Sequence, residues 1–250
     1  MTGTAKRLLL LFLVLGASAG FVSAQAIQVQ TTSDGTKYLT DDKGMTLYYF
    51  TLDTDGQSAC YGDCEKHWPI FYAKDLTVSS DLNAADFGTV TRKDGTKETT
   101  YKGWPLYYWF KDMKAGDMSG EGVGGVWYIE KVPAYTVMIG TEKPVGNYLT
   151  DGEGRTLYYF TKDSSGQSAC SGDCLKNWPA FTTDSFSVPS ALNASDFGTI
   201  TRDDGTMQVT YKGYPLYYFI RDRARGQVAG QAVGKVWYVI DPAKFNPGQS

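Results

Sequence analysis

The chain has 250 residues, 24 of them Lys or Arg, 27 Asp or Glu and one His, for a formal net charge of −3. An acidic chain without a basic run gives nucleic acid no counterion-release footprint, which excludes that partner. Tyrosine (18) and glycine (28) are frequent and no Leu-rich helical pattern follows the N-terminal segment, so an all-β protein is predicted.

The first segment, 1–24, has a positive start at Lys6 and Arg7, an apolar run from Leu8 to Leu15, and Val22-Ser23-Ala24 before Gln25. This pattern reads as a secretory signal, removed from the mature protein. The apolar run falls short of the roughly 20 residues that span a bilayer, so no membrane span is expected after cleavage. No cysteine stands at the cleavage point, so no acylation site is expected there.

From Tyr38 onward the chain is written twice. YLTDDKGMTLYYFTLDTDGQSACYGDC at Tyr38 returns as YLTDGEGRTLYYFTKDSSGQSACSGDC at Tyr148, and FGTVTRKDGT at Phe87 returns as FGTITRDDGT at Phe197, all at an offset of about 110 residues. Each copy carries a weaker echo of itself, the pattern Tyr-x-aromatic-x-x-Asp. It falls on Tyr48, Phe50 and Asp53, on Tyr107, Trp109 and Asp112, on Tyr158, Phe160 and Asp163, and on Tyr217, Phe219 and Asp222. Each motif is followed by a glycine-containing loop and then a tryptophan: Trp68, Trp127, Trp178 or Trp237. Four related units of roughly 50 residues, arranged as two pairs, follow from this.

Strand signals are dense in each copy. IQVQTT, KYLTD, TLYYFTL, PIFYA, GTVTR, KETTYKG, PLYYWF and GVWYIE are short and rich in β-branched or aromatic residues. The Asp94-Gly95 and Asp204-Gly205 pairs predict tight hairpins, because glycine takes positive φ without steric cost. Thr46 to Leu52 is apolar or aromatic on both faces, which predicts a strand covered on both sides. GDCEKHW and SDLNAADFG are expected to make one helical turn each, with Asp63 or Ser80 as caps.

These elements predict two tandem homologous antiparallel β domains, 25–132 and 136–244, joined tightly around Val132 to Tyr135 and ending in a frayed tail, 245–250. The alternative is a single four-unit, propeller-like array.

The four cysteines stand as Cys60 with Cys64 and Cys170 with Cys174. In an exported chain they are expected to be oxidised, and local pairing gives both copies the same closed loop. His67 completes only three ligands with Cys60 and Cys64, and Asn177 replaces it in the second copy, so no metal site is expected. The spacing fits neither c-type haem attachment nor a thioredoxin-like centre, and no cofactor is expected. One histidine rules out a Ser-His-Asp or Cys-His pair in both copies. Nothing pairs the recurring aspartates as two hydrolytic carboxylates across one cleft. They are expected instead to accept hydrogen bonds from the backbone of the loop that follows. No catalytic residue is predicted. Most aromatic rings are expected in the core. Asn193-Ala194-Ser195 forms an N-glycosylation sequon that Asn83-Ala84-Ala85 does not.

The four motifs, the Cys-x-Gly-x-Cys-x-x-x-Trp-Pro stretch and the Gly-x-Trp-Tyr ends resemble the secreted-repeat family of unknown function, many of whose members are predicted lipoproteins. The resemblance covers about residues 26 to 242. It implies a secreted or cell-surface protein of the envelope without an agreed enzyme activity. The missing acylated cysteine separates this chain from the lipoprotein members. The expected role is a non-enzymatic binding or structural module with an envelope or extracellular ligand. The alternatives are a redox or metal-binding envelope protein using the Cys-x-x-x-Cys loops, and a carbohydrate-binding module using exposed aromatics.

Overall fold

A computed structural model describes residues 25–54 and 56–246. The signal sequence expected over 1–24 and the last four residues of the expected tail lie outside the described residues. The first copy runs β1 (Ala26–Thr31), β2 (Lys37–Thr40), β3 (Tyr48–Phe50), α1 (Asp63–His67), β4 (Thr77–Val78), β5 (Phe87–Thr91), β6 (Lys97–Tyr101), β7 (Trp104–Pro105) and β8 (Trp127–Ile129). The second runs β9 (Val137–Glu142), β10 (Gly146–Asp151), β11 (Tyr158–Phe160), α2 (Asp173–Asn177), β12 (Phe197–Thr201), β13 (Met207–Tyr211), β14 (Tyr214–Pro215) and β15 (Trp237–Val239).

The chain is therefore all-β, with strands gathered in several small, mostly antiparallel sheets and no closed barrel among the described residues. Equivalent strands pair alike: β3 with β8 and β11 with β15, and β5-β6-β7 and β12-β13-β14 in order. One pairing is parallel, β1 with β4, Ala26 opposite Thr77.

Local chemistry explains the hairpins. At the β5–β6 turn, Asp94 Oδ1 accepts from the Thr96 amide at 2.9 Å and the Thr96 hydroxyl at 2.6 Å, while Gly95 takes φ +85°. Asp204, Gly205 and Thr206 repeat the turn. The expected strand PIFYA is only a single bridge from Ile70 to Tyr107. Pro69 has no amide to donate to a ladder, though its carbonyl still accepts from Tyr108 at 2.7 Å.

The expected caps differ too. Gly62 stands at the start of α1 without a side-chain cap. Asn83, rather than Ser80, caps the 3₁₀ turn Ala84–Asp86 by accepting from the Ala85 amide at 3.0 Å. The Asn83 carboxamide oxygen reaches the amide two residues on and closes an Asx turn. Exposed Asn193 does the same for Ala194–Asp196.

β3 is buried on both faces, with Tyr48 and Tyr49 at 0 % exposure. The largest apolar cluster joins Tyr49, Trp104 and Tyr128 to Val137, Leu149, Val209 and Leu216, so the core runs unbroken from one copy into the other. At the far end, Phe245 packs its ring on Tyr159 at 4.9 Å and on Tyr211 at 5.8 Å.

Candidate functional site

The four repeated motifs meet in pairs. Tyr48 and Tyr107 lie opposite one another and exchange both backbone hydrogen bonds, at 2.9 and 3.0 Å. Each tyrosine then reaches past its own motif to the aspartate of the other. The Tyr48 hydroxyl donates to Asp112 at 2.6 Å, and the Tyr107 hydroxyl to Asp53 at 2.9 Å. The second copy repeats the crossing, Tyr158 to Asp222 at 2.5 Å and Tyr217 to Asp163 at 2.8 Å.

The second carboxylate oxygen of each aspartate holds the loop that follows it. Asp53 accepts from the Ala59 amide, Asp112 from Ser119, Asp163 from Ala169 and Asp222 from Ala229, at 2.7 to 2.9 Å. A repeated local bond was legible from the strand-end position of each acid. The reciprocal Tyr–Asp exchange was not; its signal was a Tyr and an Asp at fixed spacing in two echoes within one copy.

The aromatic position of each motif enters a ring stack. Phe50 lies on Trp127 at 4.0 Å, Trp127 on Trp68 at 3.8 Å, and Trp68 against Trp109 at 4.1 Å. In the second copy Phe160, Trp237, Trp178 and Phe219 follow the same order at 4.2, 3.8 and 4.3 Å. Offset stacking of such rings adds to the apolar area they bury. Gly120 permits the close approach: a Cβ there would stand 2.9 Å from both Trp68 and Tyr48.

Burial dominates the electrostatics of these acids. Asp53 is pushed up to about 7 by desolvation, although the Ala59 amide and the Tyr107 hydroxyl pull the other way. Asp163 and Asp222 are raised for the same reason. The Tyr48 and Tyr107 hydroxyls are pushed far above their ordinary value by burial and by their carboxylate partners. The hydroxyls therefore remain donors.

The disulfides are local, Cys60–Cys64 and Cys170–Cys174. His67 ends α1, exposed, with Nδ1 against the Asp63 carbonyl at 2.8 Å and its ring edge-on to Phe110. Among the described residues no three His, Cys, Asp or Glu side chains are grouped to hold a metal ion. Sequence reasoning passed over Arg92, which ties the cysteine loop to the hairpin. Its guanidinium donates to Ser58 Oγ at 2.9 Å, Glu98 at 3.0 Å, the Cys60 carbonyl at 2.7 Å and Glu65 at 2.7 Å. Arg202 binds Ser168, Gln208 and the Cys170 carbonyl in the same way. Its signal was the arginine kept in both TRKDGT and TRDDGT.

A cleft of about 570 Å³ opens where the two copies meet. Its two cations are paired: Lys102 faces Asp86 at 3.5 Å, and Arg155 binds Asp151 at 2.8 Å while lying 4.4 Å over the Tyr218 ring, whereas Asp81 lines the cleft exposed. Beside it Arg225 of the second copy crosses to the first. It donates to the Gly103 carbonyl at 2.7 Å and the Lys102 carbonyl at 3.0 Å, and stacks 3.7 Å over Trp104.

A family model described as a secreted repeat of unknown function matches residues 28–71, 88–131, 141–182 and 198–241. Each matched segment carries one β-rich repeat unit. No curated protein and no solved structure matches the chain.

Proposed function

The chain belongs to this family of secreted repeats, and on that premise we propose that it acts in the cell envelope or outside the cell as a non-enzymatic binding or structural module, with the cleft between the copies as its contact surface. The observation that carries the reading is where the motif residues go. The repeated tyrosines and aspartates spend their hydrogen bonds on one another and on loop amides, inside a packed ring stack. The cysteines are closed as disulfides, which leaves no free thiol to ligate a metal. No helix among the described residues is long and apolar enough to cross a membrane.

The cleft at the junction is then a concave surface with exposed polar residues such as Thr182, the usual setting for a small ligand. Because Lys102 and Arg155 already hold carboxylates, the cleft suits a neutral polar ligand better than an anion. Screening the purified chain on a broad array of neutral glycans and envelope polymers tests this. Retention on a polymer that disappears in Thr182→Trp, which fills the exposed cleft wall, supports the reading. Turnover of any such polymer that is lost in Asp53→Asn would sink the non-enzymatic assignment.

A further inference from the structure

The two copies differ at a buried polar position where their backbones coincide. On β13, Gln208 is fully buried, and its side chain does two things: the oxygen accepts from Arg202, and Nε2 donates to the Leu216 carbonyl at 2.8 Å. On β6 the equivalent residue is Glu98, also fully buried. Its Oε2 accepts from Arg92 at 3.0 Å, and its Oε1 has no hydrogen-bond partner among the described residues.

The carbonyl equivalent to that of Leu216 is that of Leu106, and the frames around the two agree. Leu106 N bonds the Thr99 carbonyl at 3.0 Å where Leu216 N bonds Val209 at 2.9 Å. The Phe71 amide reaches the Leu106 carbonyl at 2.8 Å where the Phe181 amide reaches Leu216 at 2.9 Å. Glu98 Oε1 therefore stands where the second copy has an N–H aimed at a carbonyl oxygen. A carboxylate oxygen in that place would face another acceptor and be left orphaned, whereas a protonated carboxyl reproduces the glutamine bond.

We propose that Glu98 is a buried proton-binding site, holding its proton at neutral pH and donating it from Oε1 to the Leu106 carbonyl, so that the first copy is tightened by protonation while the second carries a permanent amide equivalent.

The surrounding charges agree. Glu98 is faced by Arg92 from the β5–β6 turn, by Glu65 from α1, by Asp53 from the loop after β3 and by the Tyr107 hydroxyl, with Asp94 at the edge of the Arg92 guanidinium at 3.8 Å. With Glu98 neutral, Arg92 and Glu65 balance. With Glu98 ionised, one guanidinium faces several carboxylates in a desolvated setting. Burial, with Asp53 and Glu65 nearby, raises Glu98 to about 8 against the opposing pull of Arg92. The second copy lacks this cluster of acids, with Leu175 at the position of Glu65 and Gln208 at that of Glu98.

The sign follows from linkage. The folded chain holds the Glu98 proton more tightly than the unfolded chain does. The stabilisation is complete below the ordinary glutamate range and is lost as pH rises through about 8. Above that, the carboxylate repels the Leu106 carbonyl and the β6–β7 pairing beside it weakens.

Infrared difference spectra of the full chain test this directly. A band from a protonated, hydrogen-bonded carboxyl is expected at neutral pH, to fade at alkaline pH and to lose intensity in Glu98→Gln. Urea unfolding followed against pH gives the second reading. Glu98→Gln should remove about one proton from the slope between the ordinary glutamate range and about pH 8, leaving the contributions of Asp53 and of Glu130, a second buried carboxyl that desolvation raises to about 8. An unchanged slope in Glu98→Gln, or an ionised Glu98 carboxyl in the neutral-pH spectrum, would overturn the proposal. A wild-type spectrum without any protonated-carboxyl band at neutral pH would overturn the proposal even if the variant does not fold.

Discussion

At the scale of single residues, the repeated motif is a hydrogen-bond exchange whose members have no spare partners. Tyr107 donates to Asp53 and also meets Ser58 Oγ at 2.7 Å. Tyr107→Phe keeps the ring and its packing but leaves both groups buried without that partner. It should cost about 1–3 kcal/mol in urea unfolding, the penalty of an orphaned buried polar group. Asp53 adds a pH signature. Because burial lifts its folded value to about 7, the stability it contributes is full in acid and is lost as pH rises from the ordinary carboxylate range through about 7. Asp53→Asn should flatten that part of the profile; an unchanged profile would show that Asp53 is ionised at lower pH than its burial implies. Both residues were legible in the sequence as recurring polar positions in apolar strands. Their partnership was not, because a hydrogen bond between echoes fifty-odd residues apart leaves no trace in local spacing. Glu98 was illegible for a related reason, since its meaning appears only when its surroundings are laid over those of Gln208.

At the scale of elements, composition carried the reading where local sterics decide, and failed where tertiary partners decide. The Asp-Gly hairpins were legible because Gly95 and Gly205 take φ +85° and +83°, a conformation that costs other residues. Gly95→Ala has open space for its methyl group but the wrong backbone preference. It should destabilise the first copy by about 1 kcal/mol, read as a shifted unfolding midpoint at unchanged slope. PIFYA read as a strand because it is aromatic and β-branched, yet Pro69 and the single bridge at Ile70 leave it irregular. The cysteine loops were legible as local closures. What holds them was not, because Arg92 comes from a hairpin some thirty residues further on. A loop of so few residues removes little unfolded-state entropy, so the double change Cys60→Ser and Cys64→Ser should cost about 2 kcal/mol without unfolding the chain. The bonds from Arg92 to Ser58, the Cys60 carbonyl and Glu65 keep the loop seated. Full unfolding of that variant would show that the disulfide, rather than the guanidinium, carries the loop.

At the scale of the whole molecule, duplication was legible because a repeat is written in the sequence, while the joint between the copies was not, because it uses residues that have no counterpart. Tyr135 lies in the connection itself, packed 5.9 Å from Tyr49 of the first copy. Arg225 stands where the first copy has Ala115. That difference permits a clean test. The equivalent loop accommodates alanine naturally, with Ala115 against Gly44 as Arg225 lies against Gly154, so Arg225→Ala should leave its own loop folded. What it removes is the bridge, its bonds to the carbonyls of Lys102 and Gly103 and the guanidinium face over Trp104, together with the bond to the Glu153 carbonyl inside its own copy. Charge-assisted bonds and a desolvated cation–π contact together predict a loss of roughly 2–4 kcal/mol. The apolar cluster shared by the copies remains, so the halves should still fold. The loss should appear as weaker coupling, with one calorimetric transition broadening or splitting in two. Trp104→Leu should lower stability on its own, and the double variant should lose less than the sum of the singles, since both remove the same contact. A single sharp transition at the wild-type temperature in Arg225→Ala would mean that the shared core alone couples the copies and that the bridge merely decorates the cleft wall.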